Sequence, residues 1–313
     1  MIIVTHADSD GVICVAICLL AGKKPKRVYF TSVYKIKRAI CKAVAENELS
    51  DELIVTDLSP TEKLLRIASA FDRVTWIDHH RILEPIPSVP ENVRLVLDEN
   101  SPSAARIVAK YFNVQTKLAE LADEIDRNAV KSEDARFLRD LIGAIKLKFR
   151  GSEQAKKLRS IAKILASGKL EELQAKESVI KMVSEYRKLV ESVKARALEK
   201  VNVIEANGKK IAIYEARGFV PIYAICEKLK EHAEAPFDVI TIVMRYLDKS
   251  KRNIITKLEF RTHTNEDVHR LATSFGGGGH ARASGASFKG FLTKEQIAKR
   301  ISELLTKWEI NSR

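Results

Sequence analysis

Residues 73–80 read Arg73-Val74-Thr75-Trp76-Ile77-Asp78-His79-His80. A short apolar run rich in β-branched and aromatic residues predicts a buried strand, and this one runs straight into three ionisable groups. The pattern repeats upstream. Glu52–Thr56 is a similar run ending at Asp57, and Ile2–Thr5 leads into His6, Asp8 and Asp10. Arg27–Thr31 and Val93–Leu97 read as two more strands. Between them, Val12–Leu20, a basic amphipathic stretch at Ile36–Ala45, and Glu62–Ala70 read as helices. Ser59-Pro60 is expected to open the last of these, because proline's missing N–H has no helical partner in a first turn anyway. Strand–helix alternation at this spacing predicts an α/β domain with a doubly wound, mainly parallel sheet. Ligands of such sheets bind outside the carboxyl ends of the strands. Aspartates and histidines that are distant in sequence should therefore meet at one edge.

The chain has 313 residues, enough for two domains with separate cores. No proline occurs between Pro102 and Pro221, and residues 103–200 read as several helices, with Gly151 and Gly168 as breaks. From residue 201 the pattern changes. Val201–Ala206, Asn207-Gly208 and Lys210–Glu215 form a hairpin signature, since Asn-Gly suits a type I′ turn. Val239–Tyr246 and Ile254–Arg261 follow as strands, then helices at Glu266–Ser274 and Lys294–Trp308. The expected organisation is a catalytic domain over 1–130, a helical extension and connector over 131–200, and a smaller α+β substrate-binding domain over 201–313.

Hydrophobic residues make up 45% of the chain and charged ones 30%, a composition of globular rather than disordered chains. No apolar run is long enough to span a bilayer, and MIIVTHADSDGV has no basic leader character. The four cysteines, Cys14, Cys18, Cys41 and Cys226, show no CxxC spacing, so free thiols in a reducing cytoplasm are expected. The net charge of +13 is unevenly spread: −2 over residues 1–126, +9 over 127–200 and +6 over 201–313. Such a distribution suits a polyanionic ligand. Aromatics, at 6%, are too sparse for a long single-strand channel, and a grip on a few nucleotides fits better.

An aspartate at a strand end, taken singly, is an ordinary cap or turn residue. A set of four or five, with three of the seven histidines, is another matter. Clustered carboxylates resist joint ionisation, and divalent cations remove that obstacle. A carboxylate–imidazole set suits Mn²⁺, with Mg²⁺ or Co²⁺ as alternatives. Two such ions can clamp the oxygens of a phosphoryl transfer and acidify water.

Asp78-His79-His80 after an apolar strand, His6-Ala7-Asp8-Ser9-Asp10-Gly11 upstream and Asp57 between them resemble the motifs of the DHH phosphoesterase superfamily. That superfamily includes the RecJ exonucleases and the NrnA-like nano-RNases. Gly276-Gly277-Gly278-Gly279-His280 followed by Ala283-Ser284-Gly285 resembles the signature of its DHH-associated C-terminal domain. The resemblance implies one metal held by His6, Asp8 and Asp57, and a second held by Asp10, Asp57, His79 and a fourth acid. Asp57 would bridge, and His80 would lie behind the ligands or touch the scissile phosphate. Ala122-Asp123-Glu124-Ile125-Asp126 offers two candidates for the fourth acid; Asp126 is preferred, with Asp123 its rival.

Successive glycine N–H groups can cradle an anion, which makes Gly277, Gly278, Gly279, His280 and Arg282 candidates for the substrate grip. Arg261 and Arg245, on the preceding strands, are further candidates. The expected function is a manganese-dependent exonuclease or oligonucleotidase that cuts short single-stranded RNA or DNA to mononucleotides. The alternatives are a phosphoesterase on cyclic dinucleotides or 3′-phosphoadenosine 5′-phosphate, a RecJ-like exonuclease on longer DNA, and a non-catalytic Cdc45-type replication scaffold.

Overall fold

The computed structural model describes residues 1–82, 85–218, 220–248, 252–279 and 281–310. It forms two compact units, Met1–Tyr186 and Arg187–Arg313.

The first unit runs β1 (Ile2–His6), α1 (Ser9–Leu20), β2 (Arg27–Thr31), a 3₁₀ turn (Val33–Lys35), α2 (Ile36–Glu46), β3 (Glu52–Thr56), α3 (Glu62–Ala68), β4 (Arg73–Asp78) and β5 (Val93–Leu97). Helices α4 (Ala104–Tyr111), α5 (Leu118–Asp126), α6 (Glu133–Lys148), α7 (Gly151–Ala166) and α8 (Leu170–Gln174) follow. The unit boundary falls inside α9 (Glu177–Lys200). All five strands are parallel, in the order β2-β1-β3-β4-β5. Side chains alternate between faces. Ile3, Ile54 and Ile77 pack in one core with residues of α1, α4, α5, α6 and α7. Ile2, Val4, Leu53, Val55 and Trp76 pack in another with residues of α2 and α3. Burial on both faces is why these strands read as near-continuous apolar runs. This is the expected doubly wound α/β sheet.

The strand order places the functional edge. The chain leaves β1 to build β2 on one side, then returns to build β3 on the other. The connections out of β1 and β3 diverge, which opens a crevice at their carboxyl ends.

The second unit contains β6 (Val201–Ala206), β7 (Lys209–Ala216), α10 (Ile222–Leu229), β8 (Val239–Asp248), β9 (Asn253–Arg261), α11 (Val268–Ser274), β10 (Gly278–Gly279), β11 (Ala283–Lys289) and α12 (Lys294–Ile310). They form a mixed sheet, β10-β11-β9-β8-β7-β6, in which β7 and β8 alone are parallel among the described pairs. Asn207 and Gly208 take φ of 54° and 66°, as a type I′ turn requires.

Two helix starts, those of α1 and α11, and the residue that opens α3 differ from the sequence expectation, each because of a cap. Helix α1 begins at Ser9, where the Asp8 carboxylate accepts the Gly11 N–H at 3.1 Å. Helix α3 is capped by Thr61, whose hydroxyl accepts the Leu64 N–H, so Pro60 stands outside the helix rather than opening it. Helix α11 begins at Val268, capped by Asp267.

Candidate metal centre

The three strand-end motifs meet at the predicted edge. His6 ends β1, Asp8 caps α1, and Asp10 lies in the first turn of α1. Asp57 follows β3, and its N–H bonds to the Ile77 carbonyl on β4 at 3.0 Å. Gly11 makes this convergence possible: a Cβ there would lie 2.2 Å from the His6 carbonyl oxygen. Only glycine lets the first turn of α1 sit so close over the end of β1.

The side chains form two clusters joined by one residue. His6 Nδ1 lies 2.5 Å from Asp8 Oδ2 and 3.6 Å from Asp57 Oδ2. His79 Nε2 lies 3.8 Å from Asp57 Oδ1, 3.9 Å from Asp10 Oδ2 and 3.5 Å from Asp126 Oδ2. Asp57 thus turns one oxygen toward each cluster. In each of the sets His6/Asp8/Asp57, Asp10/His79/Asp126 and Asp57/His79/His80, one ligand atom per residue lies within 4.8 Å of the others.

The surroundings orient these groups. His79 Nδ1 is 3.3 Å from the Ser101 carbonyl, a contact that favours a proton on Nδ1 and leaves the Nε2 lone pair for the cluster. His80 Nδ1 bonds to the fully buried Asp78 at 2.6 Å. Asp10 accepts the N–H groups of Ala104 and Ala105 at 2.7 and 2.9 Å, so the start of α4 holds it from behind. Asp57 has a φ of 57°, a left-handed conformation that costs a non-glycine residue about 1–3 kcal/mol and collects at functional sites.

The electrostatics are those of carboxylates without a counter-charge. Burial, then the charges of Asp8 and Asp10, pushes Asp57 well above the usual carboxylate range. Burial, with Asp126 next, lifts Asp10 to about 8; partial burial of Asp126, whose side chain stays 27% exposed, with Asp8 next, lifts it to about 7. For Asp8 burial acts upward too, but the His6 imidazole more than reverses it, and its pKa is lowered. Burial pulls His80 down, yet the Asp78 carboxylate prevails and its pKa is raised. The buried Asp57 Oδ2 has no hydrogen-bond partner among the described residues. An orphaned oxygen in a cluster of raised aspartates and oriented imidazoles fits divalent cations.

Asp123 and Asp126 have different surroundings. Asp126 faces His79, while Asp123 accepts the Ser103 hydroxyl at 2.6 Å and Arg106 Nε at 2.7 Å. Ser103 and Arg106 belong to the start of α4, and no sequence signal singled them out.

In the second unit the glycine run has structural explanations. Gly276 ends α11 with φ 74°. A Cβ on Gly277 or Gly279 would strike the backbone of β11, at 2.1 Å from the Gly285 carbonyl and 2.7 Å from Ser284 Cα respectively. Gly278 faces no such obstacle, its nearest neighbour being His269 at 3.8 Å. Arg282 bonds to Asn265, and Arg261 NH1 to the Phe260 and Ser284 carbonyls and to Glu259. Arg245 pairs with Glu215, bonds to the Leu292 carbonyl and covers the Phe291 ring. Arg261 is paired with Ile240, and Arg245 stands five residues further along β8, roughly 17 Å away. The structure therefore does not bring these two arginines together. His280 lies outside the described residues.

No family model and no curated protein sequence matches the chain. Solved structures do. The pGpG-specific phosphodiesterase PggH from Vibrio cholerae is 17% identical, with a TM-score of 0.58 and 98% of both chains covered. An exopolyphosphatase-related protein from Bacteroides fragilis is 14% identical, with a TM-score of 0.51, over 98% of this chain and 92% of that one. At these identities the likeness is one of fold, and it extends over both units.

Proposed function

We propose that this protein is a metal-dependent phosphodiesterase of the DHH type that hydrolyses short single-stranded oligonucleotides to mononucleotides. The observation that carries the reading is Asp57, buried between two histidine–aspartate clusters with one oxygen directed at each. The likeness in fold to a pGpG-specific phosphodiesterase supports the shortest substrates within that class.

His6, Asp8 and Asp57 would hold one divalent cation, and Asp10, Asp57, His79 and Asp126 a second, with manganese the preferred metal. Bound there, the pair supplies positive charge to the phosphate and an acidified water. The chain's own groups do the rest. Ser101 keeps His79 in the tautomer that offers Nε2, and α4 keeps Asp10 in place. His80, held by Asp78, whose carboxylate raises its pKa, would be the group to give a proton to the leaving sugar oxygen. Hydrolysis then joins the water oxygen to phosphorus as the phosphorus–ester oxygen bond breaks. In the second unit, Gly277–Gly279, His280, Arg282 and Arg261 remain candidates for gripping the nucleotide, and Arg245 a more distant one.

The test is hydrolysis of end-labelled two-, five- and twenty-nucleotide RNA and DNA, and of a cyclic dinucleotide, with Mn²⁺, Mg²⁺ or Co²⁺. Cleavage that favours the two-nucleotide substrate and stops with chelator is expected. Failure to cut any phosphodiester with any of the metals would overturn the reading.

A further inference from the structure

The basic stretch that opens α2 has no part in the chemistry above, yet it starts at the same sheet edge. Thr31, the last residue of β2, is paired in register with His6, and its carbonyl accepts the Ala7 N–H at 2.8 Å. The chain therefore leaves β2 beside the loop that carries Asp8. Tyr34 follows three residues later, within about 11 Å of chain from Thr31. Tyr34 is 74% exposed, and Val33 beside it 51%.

The residues that follow are cationic. Lys35, Lys37 and Arg38 are all exposed, while Ile36 and Ile40 of the same helix are buried in the core. Among the described residues no carboxylate pairs with these three cations, whereas Lys42 on the next turn pairs with Glu46 at 3.6 Å. The first turn of α2 contains no acid. An exposed aromatic followed by unpaired cations thus stands at the edge where open α/β sheets bind ligands. Each nucleobase offers a π-face to an aromatic ring whatever its sequence, and the adjoining cations match the phosphates attached to it.

We infer that Val33–Arg38 is a nucleotide-binding wall beside the metal centre, with Tyr34 stacking on one base and Lys35, Lys37 and Arg38 holding phosphates of the same strand. The inference rests on the phosphodiesterase reading and names a substrate contact for it. Tyr34 has no packing role, so its replacement leaves the fold intact. The site is a subsite for bases, and the metal ligands do not depend on it.

The test uses full-length protein with a dinucleotide and a pentanucleotide RNA, each carrying 2-aminopurine, whose fluorescence falls on stacking. Tyr34→Ala should raise KM for both by about 5- to 100-fold, the range of one base–aromatic stack, with kcat and Mn²⁺ stoichiometry unchanged. It should also abolish the quench, and Tyr34→Trp should restore both. Lys35→Gln/Lys37→Gln/Arg38→Gln should lower the salt slope of pentanucleotide binding by about 2. Wild-type KM and quench in Tyr34→Ala would overturn the stacking role, even where the triple variant binds weakly, because the segment would then be a purely electrostatic surface. A wild-type protein that cuts neither RNA with Mn²⁺ would instead overturn the phosphodiesterase reading, and the inference with it.

Discussion

Arg106 on α4 closes on the carboxylate of Asp123 on α5, one helical turn before Asp126, which faces His79. The Ser103 hydroxyl occupies the other oxygen of Asp123. Asp123 is therefore engaged in joining two helices, which leaves Asp126 as the proposed fourth acid. Asp126→Asn should lose most of the activity and weaken one of two Mn²⁺ ions in calorimetry. Asp123→Asn should keep two ions while costing about 1–3 kcal/mol of stability in urea unfolding, as loss of a charged hydrogen-bonded partner does. The reverse pattern of ion loss would exchange their roles.

Asp57 faces both clusters, so Asp57→Ala should lower the occupancy of both ions and abolish turnover. The same change removes a buried carboxylate crowded by Asp8 and Asp10. The metal-free variant should consequently melt at or above the wild-type temperature in scanning calorimetry. A variant that folds, binds two ions and turns over normally would remove Asp57 from the centre.

The raised aspartates make metal-free stability depend on pH. Asp10 and Asp126 titrate at about 8 and about 7 in the fold, against an ordinary 3.8. Well below pH 3.8 these groups are protonated in both folded and unfolded chains. As pH rises toward 8 the unfolded chain ionises freely while the fold resists, so the contribution of the pair is lost. Asp126→Asn, which mimics the protonated acid, should melt above the wild type in EDTA by a margin that is small at pH 5 and grows to several degrees at pH 8. Saturating Mn²⁺ should reverse that order at pH 8, because binding at one hundred times Kd adds about 2.7 kcal/mol to the wild type. Equal melting temperatures at both pH values in EDTA would show that Asp126 is not crowded.

Gly11→Ala places a methyl group against the His6 carbonyl. The backbone of α1 must then shift, at a cost of roughly 1–3 kcal/mol as for other overpacked substitutions. Asp8 and Asp10 move with it, so Mn²⁺ affinity should fall by more than the stability loss alone would produce. Affinity unchanged at 25 °C would show that the first turn of α1 can move without disturbing its carboxylates.

The convergence of His6, Asp8, Asp10, Asp57, His79 and His80 was legible because each follows an apolar run, and parallel strands deliver their ends to one edge. The choice between Asp123 and Asp126 was not, because residues three apart lie on neighbouring helix faces. Only Arg106, from another helix, separates them. The second unit was harder to read. Ala283–Lys289 is rich in small residues and carries no strand signature; pairing with β9 and β10 makes it one. That same pairing accounts for Gly277 and Gly279, whose need for close backbone approach depends on a strand the sequence does not announce.

The order β2-β1-β3-β4-β5 also governs how the molecule must assemble. His6 meets Asp57 and His79 only when β1 has paired with β3, more than forty residues later in sequence, although β3 and β4 themselves lie closer together. The segment from His6 to Asp10 carries three of the six proposed ligands, and the rest come from distant parts of the chain, so the acids are driven together in the last steps of a slow, non-local search. Those closing steps bring like charges into contact before any ion has a complete cage to enter. The chain can close most readily where its acids take up protons as they are buried. Refolding in EDTA should accordingly be faster at pH 5 than at pH 8, and the ions should arrive as late ligands that exchange for protons instead of guiding the collapse.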